Sequence, residues 1–360
     1  MEKVLFSAVD MNVGGIETSL LTLLNILIEK DYDITLVLEK KQGAFLKDLD
    51  SKIHILEYAP SENKNIIVRK FINLIKRILF WAKHHNKYDF SASYATYSQM
   101  GSFTARVASK NCALWGHADY VMLYENNYDK VEEFFNNLSV GKFKHIVFVS
   151  QAGADSFCKV FPEYEQKVIF CNNLIDYKKI QNLSKENIEE NKNKYTFINV
   201  GRHDEKQKKL TRIIEAAKLL KYEGIDFEVW FVGGGPDTEA YKELVKKYNL
   251  KECIKFIGVK KNPYSYMDKS DAIILTSDYE GYPVVFLEAL VLNKPIITTD
   301  VADAKKDIQN KFGVVTKKEI NDIYEAMKQF IQNGYKIKAQ FEPVKYNDEI
   351  ETKIENIINC

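Results

Sequence analysis

Glu280 and Glu288 stand eight positions apart in Ser277-Asp-Tyr-Glu280-Gly-Tyr-Pro283-Val-Val-Phe-Leu-Glu288-Ala289, around a Gly-x-Pro turn that directly follows an apolar strand, Ala272–Thr276. One carboxylate falls in the loop and the other more than a turn into the next helix. They need not share a proton, so each is free to accept hydrogen bonds from a different hydroxyl-bearing group, which suits sugar-nucleotide chemistry better than an acid/base dyad. Pro283 fits the first helical position, where its missing N–H costs nothing. The amides of Val284, Val285 and Phe286 would then lie at the positive end of the helix dipole, beside the Gly281–Tyr282 turn, and hold a phosphate or a sugar hydroxyl. Taken alone, the stretch also reads as a solvated acidic loop with a carboxylate near a helix start.

A second cluster offers positive charge. Gly201-Arg202-His203-Asp204-Glu205-Lys206-Gln207-Lys208-Lys209 follows the strand Tyr195–Val200, placing a guanidinium just after the strand and ammonium groups ahead of a helix. Arg202 presents a planar fork and Lys208 a mobile point charge; together they suit a diphosphate and the charge that builds on it as it departs. A solvated basic turn is the plainer alternative. Gly233–Gly235 before Pro236 ends another strand, Phe227–Val232, so Gly234 lies on the same sheet edge, where turn chemistry explains most of it and a phosphate contact is possible. In the first half, Gly14 and Gly15 close the first strand and allow close backbone approach. Their spacing is not GxGxxG, which argues against a nicotinamide dehydrogenase. His117, after the strand Cys112–Trp115, can position a hydroxyl or handle a proton, although a lone histidine is more often structural.

These groups need scaffolds. The 360 residues, 46% of them hydrophobic, exceed what one core normally holds. Short apolar strands alternate with helical periodicity: Val4–Val9, Ile34–Leu38, Ile53–Leu56, Phe90–Tyr94, Cys112–Trp115, Ile146–Val149 and Val168–Phe170. After a polar interval between Leu174 and Lys194 the pattern restarts with Tyr195–Val200, Phe227–Val232, Ile254–Ile257, Ala272–Thr276, Pro295–Thr299 and Gly313–Val315. Two such arrays predict an α/β protein of two doubly wound Rossmann-like domains facing a cleft, with ligands at the carboxyl ends of the strands. The boundaries expected are 1–174, 175–335 and 336–360, the last holding a terminal helix over Pro343–Cys360, where Ile350, Ile354, Ile357 and Ile358 have helical spacing.

A formal charge of +1 argues against a nucleic-acid partner. The five cysteines show no CxxC spacing, so neither a disulfide framework nor a zinc site is indicated and a cytoplasmic setting is expected. No leader segment or membrane-spanning run is evident. The interval 64–87 carries Lys64, Arg69, Lys70, Lys76, Arg77, Lys83 and Lys87 and no acidic residue. A polar stripe of Arg69, Lys70, Asn73, Lys76, Arg77, Lys83 and His84 opposes a wide apolar arc of Ile67, Phe71, Leu74, Ile75, Ile78, Leu79, Phe80 and Trp81, with two outcomes open: a helix packed on its sheet with a solvated basic face, or a peripheral contact with an anionic membrane.

The order of these motifs resembles the GT-B glycosyltransferases, and within them the large retaining family 4. The likeness covers nearly the whole chain: Gly14-Gly15, the Trp115-Gly-His-Ala-Asp-Tyr120 segment, Gly201-Arg202 with Gln207-Lys208, Gly233–Gly235, Phe256-x-Gly258 and Glu280-x7-Glu288. It implies that the second domain binds a nucleoside-diphosphate sugar, a UDP-sugar first among them, and the first a glycan or lipid-linked acceptor. No metal or other cofactor is implied, and the anomeric configuration is retained. Arg202 and Lys208 would grip the diphosphate, Glu280 the donor sugar, Glu288 the ribose, the backbone near Ile257 the base, and His117 the sugar. Gly15 would let the first helix approach the diphosphate and the acceptor, and the terminal helix in Pro343–Cys360 would cross back to the first domain. The glycine that often follows the family's lysine is missing here, leaving Lys206 and Lys209 as rivals of Lys208. The Lys-, Asn- and Ile-rich composition fits an A/T-rich bacterial genome, where the resemblance implies a role in surface-polysaccharide synthesis. A sugar-nucleotide epimerase and a catalytically silent GT-B subunit are the competing readings.

Overall fold

The computed structural model describes residues 1–360. The chain divides into two compact units, residues 1–174 with 347–360, and residues 175–346. Each is a parallel sheet with helical crossovers.

The first unit contains β1 (Lys3–Ala8), β2 (Asp33–Leu38), β3 (His54–Glu57), β4 (Phe90–Ser93), β5 (Cys112–Gly116), β6 (His145–Phe148) and β7 (Val168–Phe170), in the order β3-β2-β1-β4-β5-β6-β7. The second contains β8 (Thr196–Val200), β9 (Glu228–Val232), β10 (Ile254–Gly258), β11 (Ala272–Leu275), β12 (Ile296–Thr299) and β13 (Gly313–Thr316), in the order β10-β9-β8-β11-β12-β13. The apolar runs form strands because both sheet faces are covered, so consecutive side chains are buried, as in β9, where all five residues are. The strand order reverses between β1 and β4 and between β8 and β11. Loops splay apart at such points, and the Gly14, Arg202 and Glu280 loops all leave strands that flank one.

Helix α1 (Gly15–Glu29) buries Leu20, Leu24 and Leu27 along one stripe. In the second unit, Phe197, Phe227, Phe231 and Phe330 are fully buried with Ile213, Ile214 and Met327. Each such side chain contributes about 2–3 kcal/mol by leaving water. The polar interval after Leu174 holds a short helix, Tyr177–Leu183, which belongs to the second unit and buries Ile180.

The terminal helix runs over Pro343–Asn359, and the second unit extends to Tyr346 rather than 335, so the chain rejoins the first unit at Asn347. Residues before it are held on the second unit by Tyr335, whose hydroxyl donates to the Gly313 carbonyl at 3.0 Å, and by the Lys338 amide, which donates to Lys311 at 2.8 Å. Ile350, Ile354, Ile357 and Ile358 are buried, and Lys30 pairs with Glu351 and Glu355 at 2.9 and 2.6 Å.

Helix α2 (Ile66–His84) is capped by Asn65, whose Oδ1 accepts from the amides of Ile67 and Val68. Of the two outcomes open for it, packing of the apolar arc on the sheet is not the one found: apart from Phe80, most of the arc is exposed. Only Phe80 and His84 are buried, while Lys76 donates to the Ala59 carbonyl at 2.8 Å and Asn73 accepts from the Ser61 amide at 2.7 Å. No helix is long and apolar enough to cross a membrane.

Candidate functional site

The second unit gathers most of the chemistry-bearing residues at the carboxyl ends of β8 and β11. Gly201 leaves β8, and its amide donates to the Val232 carbonyl at 3.0 Å. Gly233 follows with φ +144°, and a Cβ there would stand 1.9 Å from the Gly201 carbonyl oxygen. A Cβ on Gly235 would meet the His203 carbonyl at 2.3 Å, and the His203 amide donates to the Gly234 carbonyl at 2.9 Å. The triple glycine is therefore the surface against which the Arg202 loop is moulded. Asp237 does not cap the following helix; its carboxylate takes the Glu205 amide at 2.7 Å and ties the same loop down.

Of the three lysines of this loop, Lys208 is the one that meets Glu280. Its Nζ stands 2.6 Å from Glu280 Oε1, with Glu280 buried. Lys209 has φ +51° and ends the loop in a left-handed turn that sends its own side chain to Asp278, at 3.7 Å. Lys206 is exposed and forms no ion pair. Ser277 donates to Glu280 Oε1 at 2.6 Å and Gln207 Nε2 to Oε2 at 3.3 Å, so the carboxylate is held from three sides. Arg202 remains the most open member, with its side chain 62% exposed. It pairs with Asp204 at 3.0 Å and donates to Gln207 Oε1 at 3.3 Å, so Gln207 links it to Glu280.

Several supporting residues lack a sequence signal. Asp278 faces Arg212 at 2.8 Å, with Lys209 and Lys318 at 3.7 and 3.8 Å, and its amide donates to the Gln207 carbonyl. Arg212 also donates to the Thr276 carbonyl, and Thr299 donates to that of Ser277. Arg212 and Lys318 are too distant in sequence for spacing to reveal them. Ser277 lies within the motif itself, and its three-residue offset from Glu280 was available to pattern reading.

The helix after the turn begins at Val284, and Pro283 is its cap, with ψ +116° rather than helical. The Phe286 amide donates to the Pro283 carbonyl at 2.9 Å, so only the amides of Val284 and Val285 remain open. Glu288 points elsewhere: it is buried beside Tyr264, whose hydroxyl donates to it at 3.3 Å. Burial pushes its pKa from 4.5 up to about 7, with the Tyr264 hydrogen bond opposing the rise. Because the folded value is the higher one, the associated stability is complete below about pH 4.5 and is lost as the pH rises through 7. Glu288→Gln should therefore raise the melting temperature of the ligand-free protein at pH 8, by the equivalent of about 3 kcal/mol, and leave it near wild type at pH 4, as followed by calorimetry. At the end of β10, Gly258 has φ +83° and its carbonyl accepts from the Gly233 amide, bringing the Ile257 strand end beside Gly234.

The first unit carries its own cluster. Gly14 caps α1 in an extended conformation, Gly15 begins the helix, and a Cβ on Gly14 would meet Glu17 Oε2 at 2.3 Å. His117 lies against Tyr94, ring centres 4.7 Å apart, and Tyr94 joins Ser19 at 2.6 Å; Ser19 in turn donates to Asn173 at 2.6 Å. Burial holds the imidazole pKa down to about 3, against a hydrogen bond to the Tyr94 backbone, and its Nε2 has no partner in the chain. His117 is a neutral hydrogen-bonding group here. No three His, Cys, Asp or Glu side chains converge as a metal cage.

Residues 179–347 match the family of glycosyl transferases group 1. An uncharacterized glycosyltransferase of Methanocaldococcus jannaschii is 28% identical over 44% of this chain and 43% of its own length. The N-acetylgalactosamine-N,N'-diacetylbacillosaminyl-diphospho-undecaprenol 4-alpha-N-acetylgalactosaminyltransferase of Campylobacter jejuni is 25% identical over 94% of both chains. Among solved structures, Anabaena HepE in complex with UDP and glucose matches 99% of this chain and 100% of that one, at TM-score 0.76 and 17% identity, a likeness of fold. The two parallel α/β units give the chain the GT-B fold, and residues 179–347, which hold the Lys208–Glu280 pair, carry the group 1 domain of a glycosyltransferase.

Proposed function

We propose that this glycosyltransferase is a retaining enzyme of the family 4 type that moves a sugar from a UDP-sugar to a hydroxyl of a lipid-linked or polymeric glycan during synthesis of a bacterial surface polysaccharide. The observation that carries the donor side is the pairing of Lys208 with buried Glu280, next to Arg202 and the open amides of Val284 and Val285. A diphosphate would draw Lys208 and Arg202 away from their resting carboxylates, releasing Glu280 to accept hydrogen bonds from the sugar. Glu288 would take the ribose, the Ile257 strand end the base, and Gly234 the diphosphate's flank. His117, Gly14 and Gly15 of the first unit are proposed as contacts to the sugar, the diphosphate and the acceptor. The acceptor side is supported by the Campylobacter relative, whose name specifies a diphospho-undecaprenol substrate.

In the transfer, the bond from the anomeric carbon to the diphosphate oxygen breaks as the bond to the acceptor oxygen forms on the same face. The acceptor proton passes to the departing diphosphate. Arg202 and Lys208 neutralise the charge that appears there, a role that dispenses with a metal cofactor. Saturating UDP at about 100 times its Kd should stabilise the protein by about 2.7 kcal/mol in a melting assay, with uridine giving far less. The functional test is NMR of the product made from a UDP-sugar panel and a lipid-diphosphate acceptor. Transfer with the donor's α linkage preserved supports the reading. An inverted linkage, or an isomerised donor formed without acceptor, overturns it.

A further inference from the structure

The outward face of α2 is too apolar for a face in permanent contact with water. On a helix of 3.6 residues per turn, Ile67, Phe71, Leu74, Ile78 and Trp81 fall along one line, with Ile75 and Leu79 beside them. All seven are exposed, Ile67 by 74%, Leu79 by 64% and Phe71 by 61%. Ordinary surface helices turn this stripe inward, whereas here Asn73, Lys76, Phe80 and His84 occupy the inner side. A contiguous run of this kind marks a surface that is covered in use.

The flanking charges identify the cover. Lys70 and Arg77 border the stripe on one side and Lys83 on the other, with Lys64 and Lys87 just beyond its ends. No Asp or Glu lies between Glu62 and Asp89, and Lys64, Lys70, Lys83 and Lys87 form no ion pair. An apolar strip edged by unpaired cations and free of carboxylates complements the interface of an anionic bilayer, where rings and aliphatic chains sink to the acyl boundary and ammonium groups remain among phosphates. A second copy of the same face would instead set like charges against each other. We propose that α2 is a peripheral docking element that seats the enzyme on an anionic lipid surface through Phe71, Leu74, Ile78 and Trp81. This is independent of the donor chemistry, although it suits an acceptor carried on lipid.

The full-length protein should co-float with phosphatidylcholine vesicles containing phosphatidylglycerol and not with phosphatidylcholine alone. Its fluorescence should shift to the blue, because Trp81 is half exposed while Trp115 and Trp230 are buried. Lys70→Gln with Lys83→Gln should weaken partitioning about 25-fold, at about fivefold per charge. Phe71→Ser, Leu74→Ser and Ile78→Ser together should abolish it while turnover with a water-soluble short-chain acceptor persists, which also reports that the variant is folded. Equal partitioning into neutral vesicles, unchanged partitioning of the charge variant, or a dimer broken by the serine variant without vesicle binding would each overturn the proposal.

Discussion

Replacing Lys208 by methionine is expected to lower kcat by about 10²–10³, the usual loss when one positioned donor to a developing oxyanion is removed. The stem is kept, so the change isolates the charge. A complication arises because Lys208 also neutralises Glu280 at 2.6 Å, and breaking a buried pair typically costs 3–5 kcal/mol. Here the penalty should be smaller, since Ser277 and Gln207 still donate to Glu280 and the Lys208 side chain is 22% exposed. The double variant Lys208→Met, Glu280→Gln removes the stranded carboxylate. Its melting temperature should return toward wild type while kcat remains low. Recovery of turnover along with stability would mean that the lysine only holds the loop.

Gly233→Ala should destabilise the second unit by about 3–5 kcal/mol, lowering its melting transition by about 10 °C. A methyl group would occupy space 1.9 Å from the Gly201 carbonyl oxygen, which belongs to the backbone and cannot rotate away, and φ +144° adds a conformational cost. To fit it, the Gly201–Arg202 segment must shift, so nucleotide affinity should fall too. Gly224→Ala supplies the comparison: its φ is +72° but nothing lies within 4 Å, so only about 1–2 kcal/mol is expected. A Gly233 variant no worse than Gly224→Ala would show that the loop is not moulded on that glycine.

Much of this was legible in the chain before any coordinates. All thirteen strands lie where apolar runs predicted, with ends displaced by a residue or so, because a strand covered on both faces must be apolar throughout. That the loops of Arg202 and Glu280 come together was legible for a related reason: both follow strand ends, and parallel strands all direct those ends to one edge. The rest depended on facts that periodicity does not encode. In α2 the spacing defined an apolar arc but not its direction, and the inner side is filled instead by Phe80, His84 and the Lys76 side chain, which donates to the Ala59 carbonyl. Asp278 and Lys318 meet across 40 positions of sequence. Pro283 fits either the cap or the first turn, since both accept its φ. Residues 336–346 stay with the second unit because Tyr335 and Lys338 bind it.

The most direct test of a diphosphate site built from Arg202 and Lys208 is calorimetric titration with UDP, UMP and uridine of the wild type and of an Arg202→Met, Lys208→Met variant. The wild type should bind UDP at least 100-fold more tightly than uridine, and the variant should lose most of that preference while still binding uridine. Equal preference for UDP in both proteins would contradict the account.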